Sequence, residues 1–102
     1  MKHLLRCTVL ALAGGAALGL RAEPAIVYDM GGKFDKSFNE AAFRGMERWK
    51  KETGKNFLEF EIANEAQREQ AIRNFADQGY SAIIAAGFAQ DSALEKVAKE
   101  YP

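Results

Sequence analysis

The stretch Ile26-Val27-Tyr28-Asp29-Met30-Gly31-Gly32-Lys33-Phe34-Asp35-Lys36-Ser37-Phe38-Asn39-Glu40 decides the fold. Its head is a short apolar run of the kind that forms a strand buried on both faces. A glycine pair then turns the chain. Ser37 with Glu40 three residues on has the spacing of a capping box, which starts a helix. Such a turn lies at the carboxyl end of a strand, where open α/β sheets bind ligands. It carries Asp29, Asp35, Lys36, Ser37, Phe38 and Asn39 close together. That mixture suits a polar small molecule with one flat face better than it suits bond-breaking chemistry.

Downstream, the first strand (residues 25–29) leads to a helix expected to reach about Thr53. Ala42, Met46 and Trp49 should face inward with Ala41 and Gly45 beside them, and Gly54 should be the stop. Residues 57–62 read as a second strand. Leu58, Phe60 and Ile62 alternate there with Glu59 and Glu61, a pattern that suits a place near the sheet edge. Asn64 and Gln67 resemble a second capping box. The helix that follows spans about 65–78, with Ala71, Ile72, Phe75 and Ala76 inward and Gly79 beyond its end. Residues 82–85 form a third apolar strand. Gly87-Phe88-Ala89-Gln90 is a loop, and Asp91 caps a third helix expected to bury Leu94, Val97, Ala98 and Tyr101. The order βαβαβα with right-handed crossovers makes an α/β domain with a parallel sheet.

Upstream, residues 1–22 have a basic start (Lys2, His3, Arg6), an apolar run from Val9 to Leu20 and a small residue, Ala22, before Glu23-Pro24. These are the parts of a secretory signal peptide, and the apolar run is short for a bilayer span. Cys7, the sole cysteine of the 102 residues, comes too early to carry the lipid of a lipoprotein signal. The mature chain is therefore expected to be exported, soluble and without disulfides. All 14 acidic residues follow the signal, whereas Lys2, Arg6 and Arg21 leave with it; 11 bases remain, for a net charge of −3. With no basic patch, nucleic acid is a poor partner. Three parallel strands make a very small sheet with a marginal core, so residues 23–102 are expected to be the front portion of a larger protein.

Several chemistries fail on spacing. Gly31-Gly32-Lys33 lacks the upstream glycine and the following Ser or Thr of a phosphate loop, and no third glycine completes a dinucleotide motif. An aspartyl phosphatase would keep a second Asp two residues after Asp29, where Gly31 stands. His3 and Cys7 lie in the signal, so no zinc cluster and no Ser–His pair can be built. No catalytic residue, metal site or cofactor is expected. Asp29 either accepts bonds from a pair of ligand hydroxyls or ties down the glycine turn. Phe38 is either core or a ring beneath a flat base. Asn39 either reads a heterocycle edge or is a solvated first-turn residue. Gly87 and Phe88, after the third strand, fall at the same end of the sheet as Asp29; Gly87 permits close backbone approach, and Phe88 is either a pocket wall or ordinary packing.

Asp29 to Asn39, followed by Ala42-x-x-Gly45-Met46, resembles the basic membrane protein family, the PnrA-like substrate-binding proteins of ABC transporters. A second run, Ile83-Ile84-Ala85-Ala86-Gly87-Phe88 and then Ala98-x-x-Tyr101-Pro102, resembles the same family in the same order. The resemblance implies a Rossmann-like lobe, the beginning of lobe one of a type I periplasmic-binding-protein fold. It implies a purine nucleoside or similar small molecule bound between two hinged lobes, for delivery to an inner-membrane permease from the periplasm. By the same resemblance Asp29 is the ribose-binding carboxylate, Phe38 a base-stacking ring and Asn39 a polar pocket group. A ribose-type sugar receptor and a surface sensor or interaction protein without a transport role are the alternatives.

Overall fold

The computed structural model describes residues 23–102. The signal peptide expected over residues 1–22 lies outside them. Three strands, β1 (Ala25–Tyr28), β2 (Leu58–Glu61) and β3 (Ile83–Ala85), alternate with helices α1 (Phe38–Thr53), α2 (Ala66–Asp77) and α3 (Asp91–Glu100), the last preceded by a 3-10 turn, Phe88–Gln90. The sheet is parallel with order β2-β1-β3. The expected α/β fold of three βα units is what the chain adopts.

β1 is the centre of everything. Its four residues, Ala-Ile-Val-Tyr, are wholly buried, as a strand flanked on both edges and covered on both faces must be. Ala25 and Val27 point to one face, where Ala71, Ile72 and Phe75 of α2 and Val97 of α3 meet them. Ile26 and Tyr28 point to the other, against Met46, Ala42 and Phe43 of α1. The sheet is thus sandwiched between α1 and the α2–α3 pair. Arg73 of α2 pins the latter pair together by a two-pronged bond to Glu100 of α3, both contacts 2.8 Å.

β2 lies at an edge, as its alternating pattern suggests. Its glutamates do not simply face water. Tyr28 donates from its hydroxyl to Glu59 Oε2 (3.1 Å), and the Lys33 ammonium pairs with the other oxygen of Glu59. The Lys33 N–H donates to Glu61 (3.1 Å), and the Lys33 ammonium sits 4.8 Å from the centre of the Phe43 ring. Burial, helped by Glu59, pushes the Tyr28 hydroxyl well above its ordinary pKa. The β1–α1 loop therefore straps the edge strand down.

Several inward assignments are corrected. Ala41 and Gly45 are exposed, and Phe43 takes the inner face instead. In α3 only Val97 is buried; Leu94, Ala98 and Tyr101 are exposed, because the helix lies on α2 through Val97 and Ala93. This sets a contrast for urea denaturation. Ile72→Ala should cost about 2–4 kcal/mol, the range for a truncated core residue, while Leu94→Ala should cost under about 1 kcal/mol.

Candidate functional site

The strand order fixes where a ligand can sit. From β1 the chain leaves toward the α1 face; from its neighbour β3 it leaves toward the opposite face. The loops diverge there, and the crevice outside the carboxyl ends of β1 and β3 is the switch point of the sheet. Asp29 follows β1, and Gly87 and Phe88 follow β3. Together with Phe38 and Asn39 they line a hollow of ≈ 320 Å³ at this edge. All five residues singled out from the sequence are brought together.

Asn39 holds the end of β1. It is buried, and its amide is spent on one residue: Oδ1 accepts from the Asp29 N–H (2.9 Å) and Nδ2 donates to the Asp29 carbonyl (2.8 Å). The Asp29 side chain is then placed by three neighbours. Its Oδ1 accepts from the Met30 N–H (2.8 Å) and lies 2.8 Å from Arg68 Nη1. Its Oδ2 turns toward Gly87, where a Cβ would lie 2.7 Å from it. Gly87 also has φ +105°, so two separate constraints reserve the position for glycine.

The two phenylalanines are not core. Phe38 is 67% exposed and Phe88 88% exposed, and their rings meet edge to face at 5.9 Å. Beyond this pair a second hollow of ≈ 570 Å³ runs along Ala85, Gln90, Asp91 and Leu94. No lysine or arginine lines either hollow among the described residues, and the described residues hold no cluster of three or more metal-ligating side chains.

The expected capping box takes another form. Ser37 makes no side-chain cap bond. Asp35 does the capping, its carboxylate accepting from the N–H groups of Ser37 (2.8 Å), Glu40 (3.0 Å) and Asn39 (3.4 Å). Glu40 reaches back to the Lys36 N–H (3.1 Å) instead of to Ser37. At α2 the same displacement recurs: Gln67 accepts from Ala63 (2.7 Å), not Asn64. Desolvation works against the Asp35 carboxylate, but the N–H groups of Glu40, Ser37 and Asn39 together outweigh it and hold its pKa below the ordinary value.

Two residues escaped sequence reasoning. Gln90 is buried beneath the Phe88 turn, and its Nε2 donates to the carbonyls of Val27 (2.9 Å) and Ala86 (3.1 Å), tying the β3 loop to β1. Arg68 reaches Asp29 from α2. Its signal was present: Arg68, Ala71, Ile72 and Phe75 share one helical stripe, and an arginine on the buried stripe of a helix must have a partner.

The family described as ABC transporter substrate-binding protein PnrA-like matches residues 22–102. The chain belongs to this family of substrate-binding proteins. It is 33% identical over 95 residues to an uncharacterised lipoprotein of Pyrococcus furiosus, covering 89% of this chain and 23% of that protein. A similar lipoprotein of Pyrococcus abyssi is 32% identical over 83 residues, 80% of this chain and 20% of the relative. The ABC transporter nucleoside-binding protein BmpA of Lactococcus lactis is 30% identical over 82 residues, 76% of this chain and 23% of that protein. The chain thus spans between a fifth and a quarter of the length of these curated relatives.

The cap and the close approach each yield a test. The Asp35 contribution is complete above the unfolded-state pKa of about 3.9, because the folded pKa lies lower, and it is lost as pH falls through the folded value. The stability gap between wild type and Asp35→Asn, measured by urea denaturation, should therefore shrink from pH 7 to pH 3; a constant gap would contradict the assignment. Gly87→Ala should lose about 1–3 kcal/mol from its strained backbone and displace the Asp29 carboxylate in a crystal structure.

Proposed function

We propose that this protein is the solute receptor of an ABC importer and that its ligand is a purine nucleoside or a close relative. Residues 1–22 direct export to the periplasm. The described residues form part of the first of two lobes, and an inner-membrane permease receives the ligand. Asp29 accepts hydrogen bonds from the ribose diol through Oδ2, Phe38 and Phe88 supply apolar ring surface for the base, and Gly87 lets the ligand approach the backbone. Asn39 acts by fixing the main chain of Asp29.

The observation that carries this reading is the juxtaposition, in one hollow at the switch point, of a carboxylate with two outward phenylalanine rings. Large exposed rings beside a polar group are the composition of a small-molecule site. A carboxylate offers acceptors only, which matches vicinal hydroxyl donors. The name of the Lactococcus lactis relative points to the same ligand class.

Calorimetric titration of the full-length protein with adenosine, inosine and free ribose tests the reading. A nucleoside should bind and ribose should not. Phe38→Ala should cost about 1–3 kcal/mol of binding, the usual loss of one base-stacking ring, and Asp29→Asn should cost a similar amount through the charge-assisted bonds to the sugar. Binding of ribose without nucleoside would favour a sugar receptor, and binding of some other solute alone would remove the purine assignment.

A further inference from the structure

We infer that Arg68 is a positioning residue for the ligand, holding the Asp29 carboxylate so that Oδ2 is the oxygen offered to the ligand's hydroxyls. The inference rests on Asp29 being the diol acceptor.

Arg68 is 4% exposed, at a place on α2 where its stripe neighbours Ala71, Ile72 and Phe75 are all apolar. A guanidinium there is costly unless it is paired. Its fork is anchored on one side: Nε and Nη2 bond both oxygens of Glu65, at 3.1 and 2.8 Å. Glu65 is a largely exposed residue of the preceding turn, and the Arg68 guanidinium holds its carboxyl below the ordinary pKa. Pairing with Glu65 alone would satisfy the charge at the surface. The side chain instead runs inward and sets Nη1 2.8 Å from Asp29 Oδ1.

The geometry of that contact matters. The Nη1–Oδ1 contact is an ion pair at 2.8 Å, so Arg68 acts on Asp29 as a fixed positive charge at short range. A charge whose position is set by a bidentate anchor is a rigid reference point. With the Met30 N–H also on Oδ1, that oxygen is engaged. Oδ2 is left on the Gly87 side, at the hollow that both residues line. Arg68 touches no ligand in this arrangement; it determines which carboxylate oxygen does.

The test uses the full-length protein with adenosine and 2′,3′-dideoxyadenosine as probes, and crystal structures of the variants. Arg68→Met should weaken adenosine about 10- to 100-fold, the worth of a charge-assisted bond, and change the dideoxy analogue by less than about threefold, because the analogue lacks the hydroxyls that Oδ2 accepts from. Arg68→Lys should restore part of the loss. Glu65→Gln, at the surface, keeps the test open if Arg68→Met does not fold, and should shift selectivity the same way by a smaller factor. In the Arg68→Met structure, or in Glu65→Gln if that alone folds, the Asp29 carboxylate should turn. Equal losses for both probes, or an Asp29 carboxylate that stays where it is, would overturn the inference. If the wild type binds neither nucleoside, the nucleoside reading fails, and the position of Asp29 in the variant structure decides the role of Arg68 by itself.

Discussion

The arrangement depends on the pair of hydrogen bonds between the Asn39 amide and the main chain of Asp29. β1 ends at Tyr28, so the N–H and carbonyl of the next residue have no strand to pair with. Buried main-chain groups need partners. The primary amide of Asn39 is itself an N–H and a C=O set side by side, and it supplies both at 2.9 and 2.8 Å. One side chain thus carries the ladder a residue further than the strand goes. It also joins the first turn of α1 to the end of β1, so that the helix, the loop and the central strand share one frame. The position of the Asp29 carboxylate rests on that frame.

Much of this could be read from the chain. The apolar runs and the glycine stops locate the strands and helices to within a residue or two, because burial of a parallel strand and termination of a helix are local matters of side-chain type. The convergence of Asp29 with Gly87 and Phe88 follows from topology alone, since parallel strands put all their carboxyl ends on one edge. What local spacing could not give was the choice among equivalent partners. Ser37 and Glu40 have a cap's spacing, yet Asp35 takes the N–H groups because the loop turns back at Lys36, whose φ is +57°. The exposure of Phe38 and Phe88 could not be told from burial by residue type. Arg68 and Gln90 bond across the fold to groups far away in sequence. Their only local trace is a polar residue where a buried one would be expected.

The two faces of the sheet solve different problems. On the α2–α3 face the core contacts are apolar, with the Arg73 to Glu100 pair kept to the outside and buried Arg68, paired with Asp29, the exception. On the α1 face the edge strand brings glutamates, and the loop answers with Lys33 and the Tyr28 hydroxyl. The same loop that carries the candidate site therefore also closes an open flank of the domain. A charged pair at that flank adds little stability where it meets water, but it leaves the edge less able to recruit a foreign strand.

Phe38 and Phe88 stand apart from this network. They lean on each other and are largely exposed, while the Asp29 carboxylate in the same hollow is fixed from three sides. Under the proposed function, stability and selectivity are therefore carried by different residues. Because both rings are largely exposed, substitutions there should leave the sandwich almost untouched, and under the proposed function a change from one flat ligand to another at these positions would not pass through an unfolded intermediate. The anchor beneath them, from Asn39 through Asp29 to Gly87, has no such freedom and would be inherited as a block.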